Sequence, residues 1–173
     1  MGFNPTTLII VCMLLFSFES FAQETAIKSS EKTIVPEDFK KLLGDWTGTL
    51  TYIDYSSGKP YTMPANLTVE KGKNEYELIL SNEYPNEPKA NDKDKLVISK
   101  DGKQLNKKDV KSKENLADGR VRITIEYKGK DNKKKALIRS VYVLGESQFS
   151  IRKEVQFENS KLWKKRNEFK YKR

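Results

Sequence analysis

The chain contains no histidine. Without an imidazole there is no Ser-His-Asp or Cys-His nucleophile and no His-ligated zinc. Cysteine is reduced to Cys12. It lies inside an apolar run near the N-terminus, so no disulfide braces the chain and its core has to suffice. Val11 is not the small residue a lipobox places before its cysteine. No Gly-rich turn runs into Lys-Ser or Lys-Thr, and there is no Gly-x-Ser-x-Gly elbow, which removes two common routes to phosphoryl and acyl chemistry. Long apolar runs are also missing, apart from Leu8 to Phe18. That run has the length of a signal-peptide h-region and falls short of the ~20 residues a bilayer span needs.

Residues 1–22 therefore read as a signal peptide, with Ser20-Phe21-Ala22 supplying small residues for cleavage after Ala22, although Met1 to Thr7 carries no Lys or Arg. Residues 23–35 are polar and without period, a flexible leader. Residues 36–173 remain as one domain, of a size that can bury a core unaided. The expected address is export, to the periplasm or the extracellular space.

What is abundant is positive charge. The chain has 33 Lys+Arg and 24 Asp+Glu, a formal charge of +9. Loss of Glu19 with the signal peptide leaves 33 against 23, or +10. Such a balance favours acidic glycans, lipid headgroups or nucleic acid as surroundings, and an export address takes nucleic acid out of reach. The lysines are spread along the chain, which is also the pattern of a solvated surface.

Local patterning is almost wholly of period two. Pro36-Glu37-Asp38 opens a short helix whose Phe39, Leu42 and Leu43 share one face, and Gly44 ends it. From Trp46 onward, Trp46, Gly48, Leu50 and Tyr52 alternate with threonines. Met63 to Val69 and Tyr76 to Leu80 continue a meander, and Glu83 to Lys95 reads as a polar loop. Asp101-Gly102 marks a hairpin. Val121 to Tyr127 and Phe149 to Phe157 alternate, and Gly129-Lys130-Asp131 reads as the turn after the first of these. Ala136 to Leu144 is nearly continuous in apolar residues, as in a central strand. In the last segment Trp163, Phe169 and Tyr171 share a phase. The sum is an all-β fold of about eight to ten antiparallel strands with a short N-terminal helix, a sandwich or an up-and-down barrel.

Few residues carry chemistry. Asp38, Asp45, Asp54, Asp92, Asp94 and Glu126 leave a carboxylate-only enzyme open, but spacing pairs none of them at the ~5–10 Å a glycosidase uses. The expectation is no catalytic residue. Asn91-Asp92-Lys93-Asp94 lacks the glycine and the distant Glu of a calcium loop, so no metal or other cofactor is expected. Asn66-Leu67-Thr68 fits a glycosylation sequon but falls inside an expected strand.

The stretch Phe39…Leu42-Leu43-Gly44-Asp45-Trp46 resembles the start of lipocalin-like (calycin) barrels. The resemblance implies a helical turn closing one barrel end, Gly44 and Trp46 in a plug beneath the first strand, and an arginine near the last strand packed across the indole. Arg166 and Arg173 are the candidates, and only Arg173 shares the phase of Trp163 and Tyr171. The Phe-Ala-Gln end of the export signal is similar to those of Bacteroidetes-type bacteria. The first functional expectation is a small apolar or amphipathic ligand in the barrel, lined by Trp46, Leu50, Tyr52, Leu67, Val69, Leu78, Ile123, Ile125, Tyr127 and Phe149. The alternative is a basic surface module for anionic glycan, lipopolysaccharide or a protein partner, with no lumen ligand.

Overall fold

A computed structural model describes residues 31–173. The expected signal peptide and residues 23–30 of the expected leader lie outside the described residues. Residues 31–35 lie against the barrel: Glu31 bridges Lys113, and Ile34, 1% exposed, donates its N–H to the Gly102 carbonyl at 2.9 Å.

Helix α1 (Pro36–Lys40) is a single turn that buries Phe39 and begins with proline. The Asp38 carboxylate accepts the Val35 N–H at 2.8 Å and pairs with Lys113 at 3.0 Å, tying the turn to the wall behind it. The strands are β1 (Gly44–Ile53), β2 (Pro60–Pro64), β3 (Asn66–Lys71), β4 (Glu77–Glu83), β5 (Asp92–Val97), β6 (Gln104–Leu105), β7 (Lys108–Asn115), β8 (Val121–Asp131), β9 (Lys134–Leu144), β10 (Gln148–Phe157) and β11 (Lys164–Lys172). Their order is β5-β4-β3-β1-β11-β10-β9-β8-β7-β6, with β2 on β1. All pairings are antiparallel.

β2 and β3 keep one register against β1: Thr49 faces Pro64, Trp46 faces Leu67, and Ala65 between them donates to the Gly48 carbonyl at 3.0 Å. They form one strand bent at Pro64-Ala65. Its prolines fall where β2 has β1 as its partner and an edge beyond, the position in which a missing N–H is tolerated. The two ends of the strand order meet at the Ile98–Leu105 bridge, where Asn106 donates its N–H to Val97 O at 2.7 Å and accepts the Val97 N–H at 2.6 Å. The result is a nearly closed antiparallel barrel.

The polar loop expected from Glu83 to Lys95 is shorter than its sequence suggests. Asp92–Val97 is strand, paired with β4. Its charges mislead because it faces solvent for most of its length and buries only Leu96.

One barrel level runs Gly48–Tyr171–Phe149–Leu144–Val121 through successive pairings, next to the helix. The interior at this end holds a ladder of aromatic contacts. Trp46 meets Phe149 edge-on with centroids 4.7 Å apart, Phe149 meets Tyr171 at 4.7 Å, and Tyr171 stacks on Phe169 at 5.9 Å. Gly48 makes room for this ladder, since a Cβ there would stand 2.1 Å from the Lys170 carbonyl oxygen and 2.7 Å from the Tyr171 ring. The other ends of the same strands, at Ile53, Asp131, Lys134, Phe157 and Lys164, form a distal rim opposite the helix.

Candidate functional site

The plug is built from α1, the start of β1 and the last residue of the chain. Gly44 turns the chain at φ 107°, a left-handed value that favours glycine. Trp46, 2% exposed, donates its indole N–H to the Leu42 carbonyl at 2.7 Å. The Arg173 guanidinium lies 4.2 Å from the centre of the Trp46 ring. It donates to the carbonyls of Leu43 (2.8 Å), Lys41 (2.9 Å) and Glu146 (2.7 Å). Two of these acceptors are carbonyls that the end of the helix leaves without intrahelical partners.

Arg166 is elsewhere. A bulge between Lys153 and Glu154 shifts the β10–β11 register, so the phase of Trp163 does not carry through to Phe169. Trp163 turns to the outer face, where Arg139 lies 4.0 Å over its ring. Arg166 turns to the inner face and lies 4.0 Å over the ring of Tyr55.

The ten residues expected to line a lumen divide among three apolar clusters. Trp46, Phe149, Ile123 and Ile125, with Leu67, Val69 and Leu78, are buried together with Phe39 and Leu42. Leu50 and Tyr52 are partly buried against Met63, Ala65 and Tyr84. Tyr127 packs on Ala136, Ile138 and Val155. Burial pushes the Tyr127 phenol upward, and pushes the buried phenol of Tyr142 up to about 12.

The distal rim has a different composition. The β8–β9 turn is made by Asn132 and Lys133 at φ 46° and 64°, so Gly129, Lys130 and Asp131 are strand and not turn. Asp131, 2% exposed, is the centre of a polar network. Its Oδ1 accepts the Tyr55 hydroxyl at 2.7 Å and the Lys153 ammonium at 3.1 Å. Its Oδ2 stands 2.9 Å from Arg166 Nε, an ion pair without hydrogen-bond alignment that leaves both atoms without a hydrogen-bond partner. Burial, then the bond to Asp131, pushes the Tyr55 phenol upward. The loop carrying Tyr55 is shaped by Asp54, whose carboxyl is held down at about 2, first by the Ser56 hydroxyl and then by Ser57.

Around this network the rim is lysine. Lys128, Lys130, Lys133, Lys134 and Lys135 are all exposed on the β8–β9 hairpin, and Lys161 and Lys164 are exposed on the neighbouring β10–β11 connection. Among the described residues, no ion pair involves any of these seven. Lys130 is directly opposite Lys135 in the antiparallel register. Like charges in that position destabilise a strand pair. Among the described residues, carboxylates at this end that take part in no ion pair include Glu158, which lies between the lysines, and Asp54 on the β1–β2 hairpin; Asp131 is committed to Lys153 and Arg166. Two depressions lie between these side chains. One, of about 620 Å³, has Lys128, Lys130 and Lys135 together with Glu158 around Leu137 and Phe157. The other, of about 510 Å³, lies between Lys134, Lys135, Lys164 and Phe157.

The outer face of β8–β10 looks equally basic in sequence but is neutralised in place. Arg139 donates twice to Glu154 (2.6 and 2.8 Å), Arg152 pairs with Glu154 at 2.7 Å, and Arg122 with Glu114 at 3.2 Å. Sequence reasoning did not single out Tyr55, Asp131 or the lysine tips. The Lys128–Lys135 stretch, with five lysines in one hairpin, was the available signal.

No family model matches the chain, and no curated protein matches it. Among solved structures it is similar to a protein of unknown function of the DUF3598 family from Nostoc punctiforme PCC 73102, with a TM-score of 0.44 and 11% identity over 83% of this chain and 50% of that one. The chain thus spans about half the length of that neighbour.

Proposed function

We propose that this barrel is a binding module whose distal rim engages an anionic partner, with the plugged end serving as the scaffold. The observation that carries the reading is the set of seven exposed lysines on two adjacent hairpin tips, unpaired among the described residues and including the opposed pair Lys130 and Lys135. Charges that are merely solubilising can be spaced to avoid one another. Charges held in register on a hairpin build a local positive potential, which raises the local concentration of an anion and its rate of encounter. An apolar ligand deep in the barrel has less support, because seven of the ten side chains expected to receive it are in contact within one buried cluster.

The test is chromatography of the purified chain on immobilised heparin, used as a generic sulfated polyanion. The wild-type chain should be retained at low ionic strength and released as salt shortens the reach of its charges from ~30 Å at 0.01 M to ~3 Å at 1 M. K130E/K135E should elute at markedly lower salt than K71E/K73E, which carries the same charge change at the helix end of the barrel. Equal elution of the two variants would show that net charge, and not the rim, governs retention, and would overturn the proposal.

A further inference from the structure

The rim carries one side chain that a soluble polyanion has no use for. Leu162 is 72% exposed, the highest exposure among the large apolar residues of the described chain, and lies on the β10–β11 connection between Lys161 and Trp163, past the turn at Glu158-Asn159. The loop is held in shape: Leu162 donates its N–H to Ser160 Oγ at 3.1 Å, and Gln156 donates its side-chain amide to the Lys161 carbonyl at 2.8 Å. The indole of Trp163 follows directly, stacked on Arg139. On the neighbouring β1–β2 hairpin at the same end, Tyr55 and Tyr61 are 54% and 47% exposed. Lysines, an exposed leucine and two tyrosines thus share one end of the barrel, while at the opposite end Trp46, Phe39 and Leu42 are buried and the exposed apolar side chains are the smaller Val35 and Val97, at 47% and 39%.

We infer that the anionic partner of this rim is a phospholipid bilayer surface bearing negative headgroups, on which the barrel stands distal end down with Leu162 entering the interface. The inference rests on the proposed function and names its partner. A bilayer with anionic lipids meets both halves of the rim. Its negative surface potential attracts basic residues, each worth roughly a fivefold change in partitioning near the surface. Its headgroup boundary accepts leucine side chains and the amphipathic rings of tyrosine and tryptophan. The lysines bear long apolar stems that let them lie along the interface with their ammonium groups among the headgroups. Depth is limited by the outer wall of β8–β10, where the partly exposed charges of Arg122, Arg139 and Arg152 with Glu114 and Glu154 would meet the acyl chains. The barrel therefore rests on the surface and does not insert. Among the described residues no helix is long and apolar enough to cross a membrane.

The experiment is co-sedimentation of the full chain with vesicles of phosphatidylcholine alone and with vesicles that also contain phosphatidylglycerol, alongside the heparin assay. Variants are K130E/K135E at the rim, K71E/K73E at the helix end, and L162S. The apolar run Leu8 to Phe18 is common to all, so differences between variants report the rim. Circular dichroism verifies the fold of each. Expected are binding to the phosphatidylglycerol vesicles well above that to phosphatidylcholine, loss of that excess in K130E/K135E, and a roughly tenfold weaker partition for L162S, the scale of burying one leucine. L162S should elute from heparin as the wild type does. Retention on heparin without preference for phosphatidylglycerol would overturn the bilayer and leave the rim reading standing, with a polyanionic glycan as the partner class. Vesicle binding indifferent to L162S would also overturn it. Failure to distinguish rim from helix-end variants in either assay would overturn both.

Discussion

Arginine 173 is the residue on which the plugged end can be tested most sharply. Truncation to alanine removes a guanidinium 4.2 Å from the Trp46 ring centre and three donor–acceptor contacts, to Leu43, Lys41 and Glu146. A cation–π contact at an exposed site contributes about 0.5–1 kcal/mol. Each hydrogen bond contributes about 0.5–1.5 kcal/mol net, at the low end here because the freed carbonyls can be hydrated. The expected loss for R173A is therefore about 2–3 kcal/mol. For a domain of this size 1 kcal/mol corresponds to roughly 2–4 °C, so the midpoint should fall by about 5–10 °C in a thermal scan. Urea titration would show the same change in midpoint with an unchanged slope, because the surface exposed on unfolding is the same. R173K discriminates further. It keeps the charge but not the planar fork, cannot satisfy three carbonyls at once, and should recover less than half of the loss. Trp46 fluorescence should respond to R173A and not to R166A, since Arg166 stacks on Tyr55. A change below about 0.5 kcal/mol in R173A would refute the reasoning, because a guanidinium that joins helix end, first strand and β9–β10 turn cannot then be contributing to the closure.

Three further outcomes follow from the interior. G48A puts a Cβ 2.1 Å from the Lys170 carbonyl and 2.7 Å from the Tyr171 ring, and should cost about 2–3 kcal/mol by overpacking, read as a lower urea midpoint. D131N leaves Lys153 and Arg166 facing an uncharged amide in a site where the native side chain is 1% exposed, and should cost about 3 kcal/mol or more, the scale of breaking a buried pair; a neutral result would show the network to be solvated. The Tyr142 phenol, raised by burial from 10 to about 12, stabilises the folded state below its unfolded pKa, and that contribution is lost as pH rises from about 10 to about 12; Y142F should remove this part of the alkaline stability loss when unfolding is followed between pH 8 and 12.

The part of the fold that period two could reveal is the part governed by one-sided burial. Trp46, Leu50 and Tyr52 share the inner face of β1 as their spacing indicates, and the helix placed before them buries Phe39 and Leu42. Alternation fails where a single residue is inserted. The bulge at Lys153/Glu154 inverts the phase of β11 between Trp163 and Phe169, so Arg166 lies inside although its parity places it outside. No local pattern announces a bulge whose extra residue is charged. Asp131 escaped for a related reason. A glycine two residues before it suggests a turn, yet the chain turns at Asn132-Lys133, and a carboxylate that pairs with residues 22 and 35 positions away is defined by tertiary structure alone. The lysine tips were visible as composition but not as a site, because opposition of Lys130 to Lys135 is a property of register.

That opposition also supplies a test in which stability and binding move in opposite directions. Local rules and the needs of the fold agree along most of this barrel, and disagreement between them is expected where function requires it. On the β8–β9 hairpin Lys130 faces Lys135 and Lys133 occupies a left-handed turn position, at φ 64°, that glycine would fill with less strain. K135E exchanges the repulsion for an attraction with Lys130 and should raise stability by about 0.5–1 kcal/mol, the range of a cross-strand charged pair. The same change lowers the positive potential of the rim and should reduce retention on heparin and on phosphatidylglycerol vesicles. Raised stability with reduced binding would identify the repulsion as the cost of a charged surface kept for a partner. Raised stability with unchanged binding would show that the lysines are there for solubility, and the rim would lose its assignment as the functional end of the barrel.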